Sequence, residues 1–167
     1  MTKYIIDSSC FIEASRVHNP LDVALSFWNE IKKLAEQGRI FSIDKVKDEL
    51  IQGNDELSSW VTSSIPSSFF LDTTDTDVIN AYAKLMRWSS SSTQYTPAAK
   101  AEFATSTIAD AFLASYAATN ADEYVVVTNE ESNPDSKRRI KLPDACDYVN
   151  VRCVRIMQML REMHETF

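Results

Sequence analysis

The fold class that the sequence predicts is α/β, with a mostly parallel central sheet. Three observations lead there. The runs Tyr4-Ile5-Ile6 and Tyr124-Val125-Val126-Val127 are continuously apolar rather than alternating, as in strands covered on both faces. Helical patterns separate the strand candidates along the chain. The 167 residues, 44% hydrophobic and 25% charged, fit one domain (1–167) with a full core.

Each element has its own reason. The first strand covers Lys3–Asp7 and stops at the polar Asp7-Ser8-Ser9. A short helix, Ser8–Arg16, follows. Pro20 opens the next, Leu21–Gln37, which carries Val23, Phe27, Ile31 and Leu34 on one face and Gly38 at its C-terminus. Arg39–Ser42 is a strand candidate. Ile43–Gln52 is helical and stops at Gly53-Asn54, and Asp55–Ser63 is a further helix. Phe69–Leu71 is a brief strand, and Asp72–Asp77 caps the helix Val78–Trp88. Ser89–Thr93 reads as the most flexible loop. Pro97 opens another helix, Thr107–Thr119 is a strong one, and Tyr124–Thr128 is the second buried strand. Glu130–Arg139 is a polar loop. Leu142–Tyr148 is a short helix, Val149–Val151 a last strand, and Cys153–His164 an amphipathic closing helix.

Composition excludes several chemistries. Two glycines leave no GxGxxG turn and no P-loop. His18 and His164 cannot form an HExxH zinc site, and Cys10, Cys146 and Cys153 form no CxxC. This irregular thiol set, with no signal peptide ahead of the first strand, suits a reducing cytoplasm. No run of about 18 apolar residues would span a membrane. The net charge of −7 argues against nonspecific nucleic-acid coating but leaves room for a local basic patch. Carboxylates remain for chemistry.

Four acids break their local patterns. Asp7 ends the first buried strand and is the only charge between Tyr4 and Ile12. Ligands of open α/β sheets bind at such strand ends, although the same residue is also placed to cap a helix. Asp110 is the only charge from Phe103 to Ala121, on an Ala-rich helix, where a carboxylate is costly unless a cation or donor meets it. Thr107-x-x-Asp110 also resembles a capping box. Glu49 lies about 60° from Val46 around its helix whereas Asp48 lies about 200° away, so Glu49 borders the core stripe. Glu130 follows the second buried strand, on the same sheet edge as Asp7 if the strands are parallel. Clustered carboxylates repel, and a divalent cation such as Mg²⁺ or Mn²⁺ reverses that cost. Such a site activates water for displacement at phosphorus.

Taken in order, these segments resemble the PIN-domain ribonucleases. Ile5-Ile6-Asp7-Ser8-Ser9 is similar to the family's opening strand, acid and hydroxyl. Val46-Lys47-Asp48-Glu49-Leu50 is similar to its second motif. Ala109-Asp110-Ala111-Phe112-Leu113-Ala114 is similar to its third, a lone Asp on an Ala-rich helix. Val126-Val127-Thr128-Asn129-Glu130 resembles the fourth, with Glu in place of the commoner Asp. The spacings of 42, 61 and 20 residues also fit. The tail, with Lys141-Leu142-Pro143-Asp144-Ala145-Cys146, is similar to an uncharacterised bacterial PIN-like subgroup.

The resemblance implies a three-layer α/β/α fold with about four to five strands. It also implies a Mg²⁺- or Mn²⁺-dependent endoribonuclease, of a kind often found as the toxin of a bacterial toxin–antitoxin pair. Its partners would be an RNA substrate, a cognate antitoxin and a second copy in a homodimer. Asp7, Glu49, Asp110 and Glu130 would then be catalytic and metal-binding. Ser8 and Thr128 would contact the scissile phosphate or a metal-bound water. Lys137, Arg138, Arg139 and Lys141 form the densest basic run and are candidates for phosphate contact, with Arg152 and Arg155 behind them. Trp88 and Tyr95 are placed either to stack on bases or to pack in the core.

The alternatives differ at single positions. A haloacid-dehalogenase-type phosphatase needs a second Asp where Ser9 stands. A Ca²⁺ loop over Asp72, Asp75 and Asp77 lacks its Gly and its closing Glu. A flap-type nuclease needs more acids and longer insertions. A catalytically inactive PIN-like RNA- or protein-binding module has the fourth-position Glu as its one support.

Overall fold

The computed structural model describes residues 1–167. Five parallel strands form one sheet in the order β3-β2-β1-β4-β5: β1 Lys3–Ile6, β2 Ile40–Ile43, β3 Phe70–Leu71, β4 Tyr124–Val127 and β5 Cys153–Val154. Successive strand residues point to opposite faces. Ile5 and Ile6 of β1 and Val126 and Val127 of β4 are all fully buried, so both faces of the central strands are covered by helices. Each such side chain contributes about 1.5–3 kcal/mol by leaving water. The nine α-helices are α1 Ser8–Glu13, α2 Leu25–Glu36, α3 Asp44–Gln52, α4 Glu56–Ser64, α5 Thr76–Ser91, α6 Pro97–Phe103, α7 Asp110–Ala118, α8 Leu142–Tyr148 and α9 Ile156–Glu162.

The strand order reverses beside β1. The chain runs outward through β2 and β3 on one side and resumes at β4 on the other. Crevices of open parallel sheets form at the carboxyl ends of the strands flanking such a point. Here those ends are Asp7 after β1 and Thr128 after β4, and Asp7 N–H donates to the Val127 carbonyl at 2.9 Å.

Several expected boundaries move, each for a local reason. The first helix stops at Glu13 and passes into a π-helical turn, Ala14–His18. The second begins at Leu25 rather than Leu21. The amides of Val23 and Ala24 both donate to the Pro20 carbonyl, which closes a separate turn and leaves Val23 exposed. Ser89–Ser91 are not loop but the last turn of α5. Their hydroxyls donate to the carbonyls of Met86, Arg87 and Trp88.

The helix expected over Thr107–Thr119 is shorter, Asp110–Ala118, and the Thr107 capping box does not form. Val149–Val151 is not a strand. Asn150, at φ 57°, ends α8 with Val151 N–H donating to the Cys146 carbonyl and Asn150 N–H to that of Asp147. The last strand is instead β5, the first two residues of the expected closing helix. Gly38, at φ +64°, ends α2 in the same way, its successor Arg39 donating to the Leu34 carbonyl at 3.0 Å.

Two of the three acids of 72–77 accept local hydrogen bonds around the start of α5, and Asp77 lies in its first turn. Asp72 accepts from Thr74, and Asp75 accepts from Asp77 N–H at the start of α5. Trp88 stacks on Tyr148 at 4.7 Å and meets Tyr95 edge-on, so both aromatics pack within the protein. Cys10, Cys146 and Cys153 are free thiols. No helix is long and apolar enough to cross a membrane.

Candidate active site

At the switch point the chain brings four separated acids into one cleft of about 390 Å³. Asp7, Glu49, Asp110 and Glu130 line it, together with Ser8, Ser9, Glu13, Glu102 and Arg139. A larger groove of about 550 Å³ runs along α5 past Asp77, Lys84, Arg87 and Tyr148, but no carboxylates converge there.

Asp7 stands in extended backbone just before α1, yet its side chain caps no helix amide. It is 3% exposed and accepts from Ser9 Oγ at 2.6 Å and Thr128 Oγ1 at 3.0 Å. Burial raises its pKa; the Ser9 and Thr128 hydrogen bonds oppose that, while the Glu130 and Glu49 charges add to it.

Glu49 sits on the inner side of α3 whereas Asp48 is exposed. Its Oε2 accepts from Ser8 Oγ at 2.6 Å and its Oε1 from Ala109 N–H at 2.9 Å, just before α7. Asp110 is the first residue of α7 and its side chain is 15% exposed. It accepts no hydrogen bond; its one polar neighbour is Arg139 Nη2, at 3.9 Å from Oδ2. Burial, then the charges of Asp7 and Glu130, push its pKa well above the usual carboxylate range, with Arg139 opposing.

Glu130 accepts from Arg139 Nη2 at 2.7 Å and from Leu142 N–H, at the start of α8, at 3.0 Å. Its neighbour Glu131 points away, 81% exposed, and pairs with Arg155.

The hydroxyls of Ser8 and Thr128, expected to contact the scissile phosphate or a metal-bound water, donate to the carboxylates of Glu49 and Asp7. Lys137 and Arg138 are exposed at the loop surface. Arg139, a candidate for phosphate contact, is paired inside the cleft. Arg152 is engaged by Glu162. The loop carrying the basic run is tied at both ends. Gln94 Nε2 donates to the carbonyls of Pro134 and Ser136, and Thr96 N–H donates to that of Lys137. The buried Asp144 of α8 accepts from Ser132 Oγ and Asn133 N–H.

Three contributors escape a linear reading. Ser9 and Glu13 lie one turn apart on the cleft side of α1, and that i, i+4 spacing was an available signal. Glu13 accepts from Asn129 Nδ2 at 2.9 Å. Glu102 reaches the cleft from α6, with no mark in the sequence that separates it from an ordinary surface acid.

An all-oxygen donor set with excess negative charge, including a desolvated Asp110 that no hydrogen bond satisfies, suits a hard divalent cation such as Mg²⁺ or Mn²⁺. In the present arrangement no three His, Cys, Asp or Glu side chains stand in ligating geometry.

Comparison with known proteins adds the family. No curated protein matches the sequence. Among solved structures, the crystal structure of VapBC2 from Rickettsia felis bound to a DNA fragment from their promoter is similar at a TM-score of 0.54 and 15% identity. The likeness covers 92% of this chain and 98% of that one. At that identity the likeness bears on fold alone, and the fold is the PIN-like one: a parallel five-stranded sheet between helices. Residues 4–167 match the family described as Domain of unknown function (DUF4411), and the chain belongs to that family.

Proposed function

We propose that this protein is a Mg²⁺- or Mn²⁺-dependent endoribonuclease that hydrolyses RNA phosphodiester bonds. We further propose that it is the toxin of a bacterial toxin–antitoxin pair, acting in the cytoplasm as a single PIN-like domain over residues 1–167. One observation carries the reading. Asp110, a desolvated carboxylate with no hydrogen-bond donor, opens a helix into a cleft lined by Asp7, Glu49 and Glu130. Asp7, Glu49 and Glu130 are each met by hydrogen-bond donors and Asp110 by none, and four carboxylates held this close are unfavourable unless a cation meets them.

In this reading Asp7, Glu49 and Asp110 hold the cation and Glu130 completes the set. The bound cation supplies an activated water and offsets charge developing at phosphorus. Ser9 and Thr128 keep the Asp7 carboxylate oriented. Ser8 and the Ala109 amide do the same for Glu49. Lys137 and Arg138, exposed on the tied loop beside the cleft, offer charge to the RNA backbone.

A cognate antitoxin and a homodimer are partners proposed from the PIN-domain resemblance; the structural neighbour, VapBC2, is consistent with the first. The reading is tested by incubating a labelled RNA pool with the protein and Mn²⁺, with EDTA, and with Asp110→Asn. Metal-dependent cleavage lost in the variant supports it. No cleavage and no Mn²⁺ binding would leave the inactive binding module, which the Arg139 ion pairs inside the cleft favour.

A further inference from the structure

The cleft is lined by six carboxylates and one cation, Arg139. Its Nη2 lies 2.7 Å from Glu130 Oε1 and 3.9 Å from Asp110 Oδ2, so one guanidinium spans two of the four acids assigned to the cation. It is the only group that approaches the Asp110 carboxylate with opposite charge at this range. We propose that Arg139 is a built-in competitor of the divalent cation. In the metal-free protein it neutralises Glu130 and Asp110, and cation binding requires it to leave. The proposal rests on the metal-dependent reading above and adds a regulation of that site.

The surroundings allow the exchange as a side-chain movement. The backbone on either side of Arg139 is fixed. Ser136 Oγ donates to the Arg139 carbonyl at 2.8 Å, Thr96 N–H to that of Lys137 at 2.8 Å, and Ile140 is buried. The Arg139 side chain itself is 47% exposed and has solvent to swing into. Glu130 does not lose its orientation when Arg139 departs, because Leu142 N–H still holds Oε2 at 3.0 Å. Once displaced, the guanidinium joins Lys137 and Arg138 on the rim, where backbone phosphates would pass. Cation binding and substrate capture then become linked, because the same event that fills the site frees a phosphate ligand.

The test is Mn²⁺ binding without RNA, read as free Mn²⁺ by electron paramagnetic resonance at pH 7.5, for the wild type, Arg139→Gln and Arg139→Lys. Circular dichroism confirms folding first. Breaking the two ion pairs that a cation would displace, each at about 4 Å or less in near-water dielectric and physiological salt, weakens binding to the wild type about five- to tenfold. Arg139→Gln is therefore expected to bind Mn²⁺ about five- to tenfold more tightly, with Arg139→Lys between it and the wild type. Binding by Arg139→Gln that is weaker, or within about twofold of the wild type, overturns the competitor role and leaves the metal site standing. A variant that binds Mn²⁺ where the wild type does not would support the competitor strongly. No binding by any of the three would remove the metal site, and the competitor with it.

Discussion

Replacing Asp110 by Asn removes a charge that no protein group hydrogen-bonds. The structure says what this does to stability. As the first residue of α7, Asp110 gains from the helix dipole, about 0.3–1 kcal/mol. Arg139 at 3.9 Å contributes about 1 kcal/mol in a near-water dielectric. Against these stand the charges of Asp7, Glu130 and Glu49, together costing about 1–2 kcal/mol at near-water dielectric and physiological salt, and the desolvation of a side chain only 15% exposed, about 1–2 kcal/mol. The opposing effects win by about 1–2 kcal/mol, in keeping with the raised pKa.

In EDTA at pH 7.5 the variant should therefore melt about 3–6 °C above the wild type. Mn²⁺ at ten times its Kd should raise the wild type by about 1.4 kcal/mol, again about 3–6 °C, and leave the variant unmoved. The stability order closes or reverses with metal. The pH dependence has a definite sign. A carboxyl whose folded pKa is raised binds its proton more tightly in the folded state. The metal-free wild type thus loses stability as pH rises from the unfolded value of about 4 through the raised one, and the variant's advantage shrinks as pH falls toward 4. Thermal denaturation by circular dichroism reads all of this. A variant that melts below the wild type in EDTA would show that the Asp110 charge stabilises the metal-free fold and return the residue to a helix-capping role.

Three further outcomes follow from other parts of the molecule. Thr128→Val leaves the buried Asp7 with one strong donor fewer and should cost about 1–2 kcal/mol, seen as a Tm lower by about 3–6 °C; an unchanged Tm would mean that Thr128 does not hold Asp7. Glu162 is held down to about 2 by Arg152, Tyr4 and Gln158. Its support is complete above the unfolded value of 4.5 and fades as pH falls toward 2. Because this pair is partly exposed, Glu162→Gln should cost only about 1 kcal/mol at neutral pH and nothing near pH 2, and a pH-independent difference would count against it. Gly38→Ala meets only ordinary contact, with Phe41 Cζ at 3.9 Å, but must hold φ +64°. A loss of about 1 kcal/mol is expected in urea denaturation, with equal stability the contrary result.

What the chain discloses in linear form has physical grounds. β1 and β4 are legible because both faces are buried, so their apolar runs are unbroken. Asp7 and Asp110 are legible because each is a lone charge in apolar surroundings, and Glu49 because helical geometry separates it from Asp48. Other features depend on tertiary partners. β5 is two residues recruited by pairing to β4, with no pattern of its own. The start of α2 is delayed by the separate turn closed on the Pro20 carbonyl, and α7 begins just after Ala109, whose N–H is taken by Glu49 from another helix. Glu102 enters the cleft through the packing of α6. Arg138 and Arg139 are indistinguishable as neighbours in sequence, yet only the second turns inward, because the loop is tied by Gln94, Thr96 and Asp144. Ser8 and Thr128 read as contacts to the phosphate or to a metal-bound water when the acids beside them are taken singly. With the acids assembled, the carboxylates take those hydroxyls.

We propose that four acids from distant segments form one cation-dependent site for RNA cleavage. The most direct measurement is cleavage of a labelled tRNA or total-RNA pool by wild type and Asp110→Asn, each with Mn²⁺ and with EDTA. Cleavage is expected from the wild type with Mn²⁺, none in EDTA, and a loss of about a hundredfold or more in a variant that is folded and more heat-stable without metal. Cleavage that persists in EDTA, or that Asp110→Asn leaves unchanged, would contradict it.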